Sequence, residues 1–173
     1  EMDVVLTEGG GGETVTIRVV PSWAPLGAMR FKELVGNGFY NGCRFFRVLP
    51  GFVAQFGISS DPAQNAVWRQ KTIPDDAVMR SNLRGFLTFA MGGPNTRTTQ
   101  LFFNYGNNAR LDDMGFPPFG EVVTGMETVD KIYSGYAEQP EQELIQTQGL
   151  AYLEANFPKL SYISEVRFKA VAQ

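Results

Sequence analysis

The sequence predicts an all-β domain, a barrel or sandwich with one or two helices attached, and three observations carry that reading. Short runs rich in aromatic and β-branched residues recur at 2–7, 14–20, 42–49, 52–56, 86–91, 101–105, 119–123 and 162–171. Glycine- and proline-containing turn signals part many of them. Helical patterns are too few to supply the crossovers that a parallel α/β sheet requires. The length of 173 residues suits one compact domain over 1–173.

The first strand, 2–7, alternates loosely; in the second Val15, Ile17 and Val19 share one face and Thr14, Thr16 and Arg18 the other. Between them lie Gly9, Gly10, Gly11 and Gly12. Such a run suggests either a phosphate-cradling loop or a hairpin turn. The hairpin is favoured, because no helix with a leading lysine follows. Ser22 before Trp23-Ala24-Pro25, with Met29, Phe31, Leu34 and Val35 beyond, suggests a helix capped by Ser22 with proline in its first turn. Gly36 and Gly38 end it.

The runs at 42–49 and 52–56 are separated by Pro50-Gly51, a strand, turn and strand. Residues 57–84 read as a long excursion, of a kind that often carries function. After the three short central strands, 125–133 suits a second helix, with Met126, Val129, Ile132 and Tyr133 as its apolar positions. Residues 134–148 are polar and 150–157 could form a short helix, so about 134–160 is expected to be an exposed insertion.

Composition narrows the chemistry. Hydrophobic residues make up 43% of the chain, enough for a sizeable core. The net charge of −3 and the absence of a basic run argue against nucleic acid as a partner. No apolar stretch approaches the roughly 20 residues that span a bilayer. A lone cysteine, Cys43, cannot form an intrachain disulfide and favours a reducing, cytoplasmic setting as a default. It is expected to be a small core residue. The first residue is Glu1, which reads as a processed or trimmed terminus. The chain contains no histidine. That removes serine–histidine and cysteine–histidine catalysis and histidine-ligated metals, and leaves arginine, glutamine, carboxylates, hydroxyls and backbone groups to act. Neither metal nor cofactor is expected.

Two stretches go beyond pattern. One is Phe39-Tyr40-Asn41-Gly42-Cys43-Arg44-Phe45-Phe46-Arg47-Val48-Leu49-Pro50-Gly51-Phe52-Val53-Ala54-Gln55-Phe56-Gly57; the other is Gly85-Phe86-Leu87-Thr88-Phe89-Ala90-Met91-Gly92-Gly93-Pro94-Asn95-Thr96, running on to Gln100-Leu101-Phe102. Both resemble the signature segments of cyclophilin-type peptidyl-prolyl cis-trans isomerases. Leu111 and the stretch 119–126 resemble the family's next blocks, and Trp23-Ala24-Pro25 with Phe31 and Leu34 its first helix. The likeness weakens over 57–84 and 134–160.

The resemblance implies a closed eight-stranded antiparallel barrel capped by two α-helices, with an outer groove that accepts an Xaa-Pro peptide. It places Arg47 on the catalytic arginine, with Gln55 beside it. Phe52, Val53, Phe102 and Leu111 fall on the proline pocket, and Ala90, Met91, Gly92 and Gln100 on the rest of the substrate groove. It implies rotation about Xaa-Pro bonds of proline-containing peptides or proteins, assistance to folding, and a monomer. Such a reaction needs no nucleophile or general base. A cation donating to the amide nitrogen favours the twisted over the planar bond, and arginine holds its donors in a charged, planar fork.

Several positions depart from the family. Phe46 stands for a histidine and Met91 for an asparagine. A pocket histidine is missing, with Gly115 or Phe116 near its place. Arg110 replaces the tryptophan that favours cyclosporin, so weak cyclosporin binding is expected. A groove that binds proline without catalysis, and a purely structural barrel, remain alternatives. Phe52 and Gln55, three residues apart, would lie on opposite faces of a regular strand. Both can line one groove only through a bulge or twist, or if one stands outside the strand. Asp112 and Asp113 are expected to shape a solvated loop.

Overall fold

The structure, a computed structural model, describes residues 2–5 and 12–169. Its eight strands are β1 (Met2–Val5), β2 (Gly12–Val19), β3 (Arg47–Leu49), β4 (Val53–Phe56), β5 (Phe86–Phe89), β6 (Leu101–Asn104), β7 (Pro118–Thr124) and β8 (Tyr162–Val166). They form a strongly curled antiparallel sheet in the order β3-β4-β6-β5-β7-β2-β1-β8. The end strands β3 and β8 share no ladder of their own. Just upstream of β3, Arg44 forms a lone antiparallel bridge with Tyr162, flanked by bonds from Gly42 N to Ile163 O at 2.7 Å and Phe45 N to Ser161 O at 3.0 Å. Of the glycine turn expected at 9–12, only Gly12 is described, and it opens β2; residues 9–11, the end of the first strand run at 6–7 and the end of the final run at 170–171 lie outside the described residues. The pairing of Met2 with Val15 and of Val5 with Gly12 makes β1 and β2 antiparallel neighbours.

Among the described residues, five helices accompany the sheet: α1 (Pro25–Gly36), α2 (Pro62–Trp68), α3 (Arg110–Asp113), α4 (Met126–Asp130) and α5 (Gln142–Asn156). The expectation of two is corrected by the short α2 and α3, which fall in stretches read as loop, and by α5. Pro25 opens α1 as expected, but the cap residue is Ala24, not Ser22. The free amides of the first turn go instead to a distant side chain, with Leu26 N and Gly27 N donating to the Asp76 carboxylate at 3.1 and 2.9 Å. Asp76 also pairs with Arg97 at 3.1 Å, and both side chains are almost wholly buried. A remote cap of this kind leaves no local sequence signal.

Strand alternation sorts the side chains. Val48, Ala54, Phe56, Leu87, Phe89, Leu101 and Phe103 point into the main core, where they meet Phe31, Leu34 and Val35 of α1. Rings carry much of that packing: Phe31 lies 5.2 Å from Phe119, and Phe45 lies 5.0 Å from Phe56. Cys43 is buried in the same core, as expected.

The segment 134–160 is not the exposed insertion the sequence suggested. Ile145, Leu153 and Leu160 are buried in a second cluster with Phe46 and Ile58. Its sparse apolar residues come together because α5 bends at Gly149, which has φ 59° and a non-helical ψ of −136°. A side chain there would collide with the Ser60 carbonyl, which instead accepts a bond from Leu150 N at 3.0 Å. The helix thus docks closely against the start of α2. Phe46 is only 1% exposed within this cluster, so the family's histidine position here anchors α5.

Candidate active site

The outward faces of the same strands build a groove of about 430 Å³. Arg47 pairs in register with Gln55, Gln55 with Phe102, and Phe102 with Thr88, one row across β3, β4, β6 and β5. Because residues two apart on a strand share a face, Val53 joins Gln55 on the groove side while Ala54 and Phe56 face the core. All ten residues singled out from the sequence line this groove: Arg47, Phe52, Val53, Gln55, Ala90, Met91, Gly92, Gln100, Phe102 and Leu111. Phe52 reaches it from outside β4, in the Pro50-Gly51 turn. Gly51 takes φ 74° there, and Phe52 N donates to Leu49 O at 3.0 Å. That placement resolves the three-residue spacing without a bulge.

The groove has an apolar part and a polar part. Val53, Phe102 and Leu111 form a buried cluster, with Phe52, Ala90 and Phe116 packed around it. Phe116 stands edge-on to Phe102 with ring centres 6.0 Å apart. Beside this cluster, Arg47 Nη1 donates to Gln55 Oε1 at 3.3 Å, and Gln55 Nε2 donates to Gln100 Oε1 at 2.9 Å. Arg47 Nε donates to Glu138 Oε2 at 3.1 Å. The Arg47 side chain keeps 30% of its surface exposed, so the cation is held yet open to a ligand. Phe52 lies beneath two cations, with Arg47 5.9 Å and Arg110 4.7 Å from its ring centre.

A buried polar network fixes the apolar wall from behind. Asn108 Nδ2 donates to Phe52 O at 3.0 Å and to Asn104 Oδ1 at 2.8 Å. Asn82 Nδ2 donates to Phe116 O at 2.9 Å and to Asp112 Oδ1 at 2.8 Å, while its Oδ1 accepts from Thr88 at 2.8 Å. Asp112 also accepts from Ser81 Oγ at 2.5 Å and Asn82 N at 2.9 Å. Burial alone would raise the Asp112 carboxyl. The bonds from Ser81 and Asn82 outweigh it and leave the group below the ordinary aspartate range. Asp112 is thus half-buried and structural, whereas Asp113 is exposed, as a solvated loop residue should be.

Sequence reasoning missed Thr96, Thr98 and Gln142 in the lining, and Glu138 beside Arg47. Gln142 and Glu138 lie in the segment taken for an exposed insertion, and nothing local pointed them at the groove. Of the two residues near the missing histidine, Phe116 takes the lining position, while Gly115 backs onto Met91. Among the described residues, no group of three or more acidic or cysteine side chains could hold a metal ion, and no helix is long and apolar enough to cross a membrane.

An arginine thus stands on an outer sheet face beside a buried apolar cluster, and the fold and family of the chain follow from comparison with known proteins. The family model for cyclophilin type peptidyl-prolyl cis-trans isomerase/CLD matches residues 3–148, and the chain belongs to that family. It is 39% identical over 135 residues to peptidyl-prolyl cis-trans isomerase A of Dickeya dadantii, covering 75% of this chain and 70% of that one. It is 33% identical over 121 residues to human peptidyl-prolyl cis-trans isomerase-like 3, covering 68% and 74%. In fold it resembles a cyclophilin type isomerase from Cryptosporidium parvum, with a TM-score of 0.65 at 20% identity over 99% of this chain and 100% of that one. That crystal structure was determined in the presence of the dipeptide Ala-Pro.

Proposed function

We propose that this groove binds an Xaa-Pro segment of a peptide or protein chain and catalyses rotation about its peptide bond, assisting folding. The proline ring enters the cluster of Val53, Phe102, Leu111 and Phe116, with Phe52 at its edge. Ala90, Met91, Gly92 and Gln100 flank the chain to either side. The observation that carries the reading is the single row that sets Arg47 and Gln55 next to Phe102.

The chemistry follows from the bond. Amide resonance sets a rotation barrier of roughly 18–20 kcal/mol. At the transition state the amide is twisted and its nitrogen regains a lone pair. Arg47 donates a charge-assisted hydrogen bond to that nitrogen, and Gln55 holds the guanidinium towards it. The bond is absent while the amide is planar, so it lowers the barrier instead of merely tightening binding. The apolar wall also favours the less polar, twisted amide. Losing one such donor costs about 10²–10³ in rate. No proton moves and no group is transferred, so a chain without histidine can do all of it.

The same reading carries four subsidiary proposals. The curled sheet closes as an eight-stranded barrel through the Arg44–Tyr162 bridge, supported by the backbone bonds on either side of it. Residues 1–173 act as one domain, with 134–160 docked on it. The protein works as a monomer. Cyclosporin binds weakly, because Arg110 sits over Phe52 where the family has tryptophan.

The deciding experiment is exchange spectroscopy on a short Ala-Pro peptide with the unaltered protein and Arg47→Ala side by side. Enhanced exchange that is lost by about 10²–10³-fold in the variant supports the isomerase. Peptide binding without enhanced exchange makes the groove a binding module instead.

A further inference from the structure

We propose that Glu138 is a positioning residue for Arg47, and that the segment around it is a working wall of the groove; this rests on the isomerase reading above. The Arg47 guanidinium is gripped from two sides, at Nε by Glu138 and at Nη1 by Gln55. Its Nη2 makes no hydrogen bond among the described residues and is left for a ligand. Gln55 is in turn held by Gln100, so Glu138, Arg47, Gln55 and Gln100 form one continuous chain of bonds. Gln55 is 6% exposed and fixed by its strand, whereas Arg47 is long and half-buried. With Gln55 alone, the fork could pivot about a single bond. The second hold, at Nε, removes that freedom and sets the plane of the guanidinium.

The backbone that carries Glu138 is itself fixed. Ala137 O accepts from Val48 N of β3 at 3.1 Å, which ties the segment beside the strand of Arg47. Ala137 N donates to Ser134 O at 3.0 Å and Gln139 N to Tyr136 O at 2.9 Å, and the Tyr136 ring packs edge-on against Phe157 at 5.1 Å. Ala137 has φ 48°, a left-handed conformation that alanine adopts at an energetic cost. Among the described residues only Asn95 shares it outside glycine, and asparagine tolerates it well. The strained residue thus immediately precedes the carboxylate that meets Arg47. Gln142, the first residue of α5, lines the same groove.

Glu138 is 63% exposed, so the pair adds little to stability, and a change there should leave folding intact. Its effect belongs on orientation and hence on kcat. The test measures kcat and KM for an Ala-Pro peptide by exchange spectroscopy, with the Arg47 Nε–Hε resonance followed in parallel. Glu138→Ala is expected to lower kcat by about two- to fivefold, with KM nearly unchanged, and to shift the Nε–Hε resonance. Glu138→Gln keeps an acceptor at the same reach and should recover part of the loss. Glu138→Ala combined with Gln55→Ala should lose more than the product of the single losses. An unchanged kcat in Glu138→Ala overturns the proposal. So does a raised kcat, which would make Glu138 a competitor for Arg47 and not its support. If the unaltered protein gives no enhanced exchange, the isomerase reading fails and this proposal falls with it. Normal exchange that is indifferent to Glu138 sinks this proposal alone.

Discussion

Arg47 and Gln55 face one another as register partners across β3 and β4, and their side chains are joined by a hydrogen bond of 3.3 Å. Gln55 is nearly buried and its Nε2 donates to Gln100, so its Oε1 presents a fixed acceptor to the guanidinium. Replacing it with Leu keeps the bulk and deletes the hold. We expect kcat/KM for an Ala-Pro peptide to fall by about tenfold, the size expected for one bond to a charged group. Equal activity in Gln55→Leu would mean that Arg47 is oriented by other groups.

The Asp76–Arg97 pair is the most buried charge pair described, and it also caps α1. Arg97 Nη2 has Asp76 and the Pro74 carbonyl as partners, while its Nε and Nη1 have no hydrogen-bond partner among the described residues. Removing the carboxylate leaves a cation sealed in the interior. Asp76→Ala should therefore destabilise the fold by about 3–5 kcal/mol, read as the loss in denaturant unfolding. Loss of less than 1 kcal/mol, on the order of an exposed pair, would show that the charge escapes to water.

Acid should loosen the network behind the apolar wall of the groove. The Asp112 carboxyl lies below its ordinary value because bonds from Ser81 and Asn82 outweigh the effect of burial. A group lowered in the folded state stabilises it above the unfolded-state value of about 3.9, and that contribution fades as pH falls through the lower folded value. Asn82 links Asp112 to the Phe116 carbonyl, so Phe116 should report the change. We expect its ring resonances to shift with acid below about pH 4 in the unaltered protein and to be flat there in Asp112→Asn.

Cys43 should be inert. It is fully buried, its sulfur contacts the Phe39 carbonyl at 3.5 Å, and burial pushes its thiol up to about 12. Little thiolate exists at neutral pH, and no reagent has a path to it. Labelling with a thiol reagent should follow global unfolding and track denaturant concentration. Rapid labelling of the native protein would contradict the burial.

Arg110 offers a direct handle on drug binding. Its guanidinium covers Phe52 at 4.7 Å, and replacing it with Trp substitutes an apolar ring for a charge at the rim of the pocket. Titration calorimetry should give tighter cyclosporin binding for Arg110→Trp than for the unaltered protein. A nanomolar inhibition constant without any substitution would remove Arg110 as the reason for weak binding.

What was legible in the sequence was whatever depends on period and motif. Val53 and Gln55 alternate with Ala54 and Phe56, so one strand carries both a groove face and a core face, and the two long motifs carry nine of the ten groove residues, with Leu111 supplied by the block that follows them. What could not be read depends on long-range meetings. Asp76 caps a helix some 50 residues away, and Glu138 reaches Arg47 across 91. The segment 134–160 is polar enough to pass for a solvated loop. Its few apolar residues become a buried cluster only because Gly149 bends α5 over Phe46 and Ile58. Phe46, which stands for a histidine of the family's motif, is buried in that cluster and is not part of the groove lining.

The bond from Val48 N to Ala137 O has a consequence for how a client can approach. β3 ends the strand order, and an uncovered end strand is a template on which an extended chain can add by backbone pairing. Here Ala137 takes up the Val48 amide at the middle of that three-residue strand. An incoming polypeptide therefore cannot settle as a ninth strand along β3 and be captured by its backbone alone. On the proposed function, a client meets the groove face instead of β3, and its release requires no strand to be peeled away.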